Sequence, residues 1–169
     1  NKLWNISRFI LDKLGEGYTP HTPKPRSLAD HWIVGQLNAA AHDVEIQVKS
    51  YRFAEAGEAV YHAIWDDVAD WYIEASKSDT NPDMLAWVLD TVLRLAHPFA
   101  PFVTETIWQT LGWTDSLLIL EHWPKKHEYD EIAAGEFTRV QALVSEARYV
   151  MSELPGNKRY PLLFQQDTL

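Results

Sequence analysis

The segment SLADHWIVGQLNAAAHDVEIQVKSYRF, residues 27–53, decides the fold class. It opens with Ser27-Leu28-Ala29-Asp30, in which an acid follows a hydroxyl residue by three positions, the spacing of a capping box. Beyond it, apolar side chains recur every three or four residues, the period of one helix face: Ile33, Leu37, Ala40, Val44, Val48 and Tyr51. A helix of this length is typical of a helical bundle.

The same period appears on both sides of this segment. It predicts a first helix from Leu3 to Leu14, stopped by Gly15-Glu16-Gly17, and then an extended loop at residues 18–26, which carry three prolines. A short strand is predicted at Leu162–Phe164. Long amphipathic helices with short links predict an all-α protein, an antiparallel helical bundle. The other predicted helices contain Val60 to Ala75, Leu85 to Ala96, Ile107 to Leu111, and Val140 to Leu154.

The composition indicates one globular domain. The 169 residues are 46% hydrophobic, which argues against disorder. The chain has no cysteine, which excludes disulfides, cysteine-bound zinc and thiol catalysis. No apolar run reaches the roughly 18 residues of a membrane span. Because the chain starts within a helical pattern and without Met, we expect a segment of a longer protein.

Charge is distributed unevenly along the chain. The net charge is −9, yet residues 1–52 hold 7 basic and 5 acidic side chains, net +2, and the remainder carries net −11. A polyanionic partner is therefore expected to contact the first third of the chain.

Motifs for catalysis or metal binding are missing from the sequence. His122 and His127 lie five apart, and neither His-x-x-x-His nor His-Glu-x-x-His occurs, so no metal site is predicted. The acids Asp66 and Asp70 indicate a solvated helix face. Lys77 follows the third helix, where a cation suits the helix dipole.

Several segments carry a family resemblance. The chain opens with Asn1-Lys2-Leu3-Trp4-Asn5, and Ser7-Arg8-Phe9 follows. Later segments keep the same order and spacing: Asp30 with Trp32-Ile33, Tyr51-Arg52-Phe53, Glu55-Ala56, Tyr61, Trp65, Asp70-Trp71-Tyr72-Ile73-Glu74 with Lys77, and Leu93-Arg94-Leu95-Ala96-His97-Pro98-Phe99-Ala100-Pro101-Phe102-Val103-Thr104-Glu105 with Ile107-Trp108. In these segments the chain resembles the anticodon-binding domain of the valyl-tRNA synthetase family, a class I aminoacyl-tRNA synthetase family.

The resemblance implies a division of the chain. Residues 1–124 would form the anticodon-binding bundle, and residues 125–169 the last bundle helix and the start of a C-terminal region leading to a coiled coil outside this chain. The family joins valine to its tRNA with ATP and magnesium. Its catalytic motifs do not occur in this sequence, so this chain alone would neither catalyse nor hold a cofactor. Implied partners are the anticodon stem-loop of tRNA(Val) and the catalytic and C-terminal domains of the full-length enzyme, in the cytoplasm and not at a membrane.

The expected RNA-binding residues combine the charge distribution with the resemblance. Phosphates attract cations, and single-stranded bases stack on aromatic rings or bond through their edges. We expect phosphate or base contacts from Arg8, Lys13, Lys24 and Arg26, base-edge contacts from Asn5 and Asp30, and stacking on Trp32. A helical protein-interaction module without RNA binding is the alternative that the acidic charge leaves open. An independent small enzyme is disfavoured, because no catalytic cluster is present.

Overall fold

The computed structural model describes residues 1–153, and all regular secondary structure in this part of the chain is helical. The predicted all-α bundle is confirmed. The strand predicted at Leu162–Phe164 lies outside the described residues. The helices are α1 (Lys2–Leu14), α2 (Leu28–Lys49), α3 (Phe53–His62), a π-helix (Ala63–Tyr72), α4 (Ile73–Ser76), α5 (Pro82–Ala96), α6 (Pro101–Leu111), a 3₁₀ turn (Leu118–Leu120) and α7 (Glu131–Glu153).

Local sequence signals set the helix starts. At α2 the predicted capping box forms: the Asp30 amide donates to the Ser27 hydroxyl at 3.0 Å, and the Ser27 amide donates to the Asp30 carboxylate at 3.3 Å. At α5 the Asn81 side chain caps the helix and Pro82 occupies its first turn. Both caps satisfy amide groups that a helix start would otherwise leave without partners.

The central hairpin pairs α2 with one continuous helix made of α3, the π-helix and α4. The turn between them is tight, and Tyr51 adopts a left-handed backbone with φ 58°. α5 packs against α2, and α6 packs against α5. α1 packs against α5, α6 and the π-helix. Side chains on the inner faces of these helices are fully buried, and they include Ile10, Ile33, Leu37, Leu85 and Leu89.

The segment that precedes α7, which includes Glu121, His122 and Trp123, is held to the bundle by hydrogen bonds. Arg94 donates to Glu121 at 3.1 Å and to the His122 carbonyl at 3.0 Å, and the Trp123 indole donates to the Ala41 carbonyl at 3.1 Å. These bonds hold the linker along α5 and α2, so that α7 lies on α2. Phe137 is the one buried side chain among the described residues of α7.

Helix length and apolar character together decide whether a helix can span a bilayer. Within residues 1–153, none of the helices is both long enough and apolar enough to do so.

Candidate nucleic-acid interface

The proline loop between α1 and α2 is held to the bundle by its backbone. The Asn81 amide donates to the Lys24 carbonyl at 3.0 Å, and the His127 ring contacts the Pro23 carbonyl oxygen at 3.1 Å through Nε2. At the start of the loop, the Tyr18 hydroxyl donates to Asp83 of α5. The loop is therefore a fixed support, and its charged side chains project from an ordered backbone.

Tyr18 and Asp83 shift each other's proton affinity. Burial and the bond to Asp83 raise the pKa of Tyr18 to about 12. The Tyr18 hydroxyl, helped by nearby His21 and Arg26, holds the pKa of Asp83 below its usual value. The pair is thus most stable as neutral phenol and ionised carboxylate, which keeps the loop closed against α5 across the neutral pH range.

Asp30 lies at the junction of the loop, α2, the π-helix and α5. It is 2% exposed, and its carboxylate accepts bonds from the Tyr72 hydroxyl at 2.8 Å, the Asn81 amide at 2.8 Å and the Arg26 amide at 3.0 Å. Burial, followed by the charge of Asp30, raises the pKa of Tyr72, which remains a donor. These contacts correct the predicted role of Asp30: its oxygens are buried and occupied, so it organises the loop and does not reach a base edge.

Trp32 is also removed from the RNA-binding surface. It is 5% exposed, and its ring packs on Phe137 of α7 with centroids 5.1 Å apart. This packing corrects the predicted stacking role, since a base cannot reach a ring that α7 covers. The sequence of α2 carries no signal for this cover, because Phe137 lies more than a hundred residues further along the chain.

The α1 candidates are exposed but occupy two faces. Asn5 and Arg8 lie three residues apart on the outer face, opposite the buried Ile6 and Ile10. At 3.6 residues per turn, Lys13 is about 140° around the axis from Arg8 and about 7.5 Å further along it. Asn5 and Arg8 therefore form one subset, and Lys13 lies on a different flank of α1, near the Phe9 ring.

Trp4 is an exposed ring on α1 that is absent from the predicted RNA-binding residues. It is 44% exposed and lies one helical turn before Arg8. The signal for it was available, since Leu3, Ile6 and Ile10 already complete the inner stripe of α1 and leave Trp4 at its border.

The fold brings three candidates to one end of the bundle, which we call the loop end. Here α1 and α4 finish and α2 and α5 begin, so Lys13, Lys24 and Arg26 share this end with Lys77. The side chains of Lys24 and Arg26 are exposed. Sequence reasoning missed Lys77 as a binding candidate, because it lies in the acidic part of the chain.

A groove of about 510 Å³ opens beside α1 at the loop end. It lies between the end of α1, the start of the loop and the end of α6, and the described residues that line it include Asp12 and Glu16 but no lysine or arginine. Anionic phosphate is disfavoured there, so we expect RNA to approach over the cations instead. Within residues 1–153, no three His, Asp or Glu side chains are grouped as a metal site would need.

Comparison with known proteins identifies the family. Residues 30–162 match the family model described as the anticodon-binding domain of tRNA ligase. The valine--tRNA ligase of Lactiplantibacillus plantarum is 38% identical over an alignment 167 positions long, which covers 90% of this chain and 19% of that protein. The enzyme of Thermotoga maritima is 38% identical over 94% of this chain and 20% of its own length. The enzyme of Geobacillus stearothermophilus is 37% identical over 91% and 19%, respectively.

The chain thus spans about a fifth of the length of the curated relatives it matches. The resemblance to valyl-tRNA synthetases is confirmed. The match to the family model and the identity to these relatives show that the chain belongs to the anticodon-binding domain family of tRNA ligases, and within it to the valyl-tRNA synthetases.

Proposed function

We propose that this domain binds the anticodon stem-loop of tRNA(Val) within a full-length valyl-tRNA synthetase. It holds the tRNA while a catalytic domain outside this chain attaches valine in the cytoplasm. ATP and magnesium belong to that catalytic domain, whose motifs do not occur in this sequence. In this proposal residues 1–124 provide the RNA-binding bundle, and residues 125–169 continue toward the C-terminal region.

The observation that carries the proposal is a set of exposed cations without acidic partners. Within residues 1–153, Arg8, Lys13, Lys24 and Arg26 form no ion pair, whereas Lys2, Lys49, Arg94 and Arg139 all do. Four other cations in this part of the chain also lack an ion pair but lie outside the loop and α1: Arg52, Lys125, Lys126 and Arg148. Arg8 in particular does not bond to Asp12, the i+4 acid on its own helix. Cations that give up no internal partner are well suited to neutralise RNA phosphates.

Arg8→Ala in the full-length ligase tests the proposal. We expect kcat/KM for tRNA(Val) aminoacylation to fall. The corresponding loss of transition-state stabilisation should be about 1–3 kcal/mol, the range of one specific base contact in direct readout. Valine activation measured by pyrophosphate exchange is expected to stay unchanged, because Arg8 lies outside the catalytic domain.

The matched control is Arg52→Ala. Arg52 is an exposed arginine in the turn between α2 and α3, at the opposite end of the bundle from the loop. An equal loss from both substitutions, or none from Arg8→Ala, would remove Arg8 from the interface.

The alternative function, a protein-interaction module without RNA binding, is supported by a different surface. Aromatic side chains are exposed where α2 meets α3 and where α5 meets α6, with Tyr51 83% and Phe102 89% exposed. A salt titration of tRNA binding separates the two functions. Affinity that falls with salt and drops when the anticodon is exchanged supports RNA recognition, whereas equal affinity for unrelated anticodons without a salt slope supports the alternative.

A further inference from the structure

Two ammonium groups from distant parts of the sequence each lie within cation–π distance of one aromatic ring, Phe9, at the loop end. Lys13 of α1 places Nζ 5.7 Å from the centroid of the Phe9 ring, and Lys77, just after α4, places Nζ 6.0 Å from the same centroid. At these distances the negative face of the ring attracts each of the two ammonium groups. The ring therefore gathers positive charge contributed by two distant parts of the sequence.

Neither lysine is committed to a strong internal partner. Lys13 makes no ion pair among the described residues, and Lys77 contacts Glu74 at 2.6 Å in an exposed i, i+3 pair. Exposed pairs of this kind contribute about 0–1 kcal/mol. An anionic oxygen ligand can therefore replace Glu74 as the partner of Lys77 at a small cost in free energy.

We propose that Lys77 and Lys13 together bind one backbone phosphate of the RNA. The inference rests on the proposed function and adds to it a phosphate site in which one cation, Lys77, comes from outside the basic first third of the chain. Ammonium groups act as point charges with several donors, which suits a phosphodiester better than the edge of a base. The site positions the RNA backbone and carries no base specificity.

The test uses Lys77→Gln in the full-length ligase, with tRNA(Val) affinity measured across a range of salt concentrations. We expect affinity to fall several-fold and the slope of log affinity against log salt to decrease in magnitude by about 0.7–0.9, the value for one neutralised phosphate. Preference for the valine anticodon over an exchanged anticodon is expected to remain, because the site binds only the backbone.

Lys49→Gln is the matched control. Lys49 is also an exposed lysine with one acidic partner, Glu45 at 2.6 Å on its own helix, but it lies at the other end of α2. Its removal is expected to leave both affinity and salt slope at wild-type values. A Lys77→Gln variant that behaves like Lys49→Gln overturns the proposed site.

A double variant tests whether the two lysines share one phosphate. If they do, Lys13→Gln with Lys77→Gln lowers the salt slope by the value of about one phosphate in total, and independent sites would lower it by the value of two. Phe9→Leu keeps an apolar side chain and both lysine charges but removes the aromatic face. We expect it to reduce tRNA(Val) affinity by less than Lys77→Gln does. A double variant whose salt slope falls by the value of two phosphates would contradict a shared site.

These outcomes also separate the inference from the proposed function. Wild-type enzyme that binds tRNA(Val) with a salt slope and anticodon preference, while Lys77→Gln is unchanged, overturns the phosphate site alone. Wild-type enzyme that shows neither the slope nor the preference overturns both.

Discussion

The two ends of the bundle expose different chemistry. At the loop end, the Asn81 side chain bonds to the loop backbone and Tyr18 bonds to Asp83, and the exposed groups include the cations Lys24 and Arg26. At the other end, which we call the aromatic end, the exposed groups include the rings of Tyr51, Phe53, Phe99 and Phe102. The two ends therefore differ in their most exposed side chains: lysine and arginine around the proline loop, and large aromatic rings at the opposite turns.

The largest expected effect tests the anchor of the loop end. Asp30→Ala leaves the Tyr72 hydroxyl, the Asn81 amide and two loop amides without their acceptor, so we expect the free energy of unfolding to fall by about 3 kcal/mol or more. Urea denaturation measures it. Asp43→Ala, at an exposed carboxylate of the same helix, is expected to change stability by less than about 0.5 kcal/mol. Equal values for the two variants would show that the Asp30 network does not hold the loop.

A smaller effect on stability is expected from the hydrogen bond between Tyr18 of the loop and Asp83 of α5. Tyr18→Phe removes the bond to Asp83, and at pH 7 we expect a loss of about 1 kcal/mol in urea denaturation. The pKa of Asp83 is lowered in the folded state, so this contribution is present above the ordinary aspartate pKa of about 4 and is lost as pH falls through the lower folded value.

The stabilisation from the Tyr18–Asp83 bond is also lost at alkaline pH, where it decreases as the pH rises. The pKa of Tyr18 is raised to about 12, so its contribution is complete below pH 10 and is lost as the pH rises from 10 to 12. The difference in stability between wild type and Tyr18→Phe should therefore be widest at neutral pH and narrow at both extremes. A difference that does not vary with pH would contradict a bond between phenol and carboxylate.

The smallest expected effect belongs to the aromatic end and has the opposite direction. Tyr51 holds a left-handed backbone at φ 58°, a conformation that costs a residue with a Cβ roughly 1–2 kcal/mol and glycine almost nothing. After the added chain entropy of glycine, Tyr51→Gly is expected to raise the free energy of unfolding by about 0.5–1 kcal/mol. Thermal unfolding measures the gain, and a loss of stability would show that the exposed Tyr51 ring, packed edge-on against Phe53, contributes more than the backbone costs.

The helices and their starts were predictable because their signals are local. The Ser27 to Asp30 spacing and the apolar stripes each act within one or two turns, and the structure contains both. The exposure of Arg8, Lys24 and Arg26 was predictable for a related reason: long charged side chains remain in water unless a partner offsets their desolvation.

The errors arose where residues far apart in the sequence meet. Asp30 carried a correct local signal as a capping residue, but its burial depends on Tyr72 and Asn81, which arrive from two other helices. Trp32 looked available on α2 until Phe137 covered it. The pairing of Lys77 with Lys13 over Phe9 likewise requires α1 and α4 to end side by side.

Periodicity, capping and charge, all written within short stretches of the chain, were enough to establish a helical bundle with cations near its start. Which polar groups are buried, which ring is covered and which cations share a site followed from packing between helices. The physical reason is that periodicity and caps act over one or two turns, whereas burial is a property of every segment that packs around a residue.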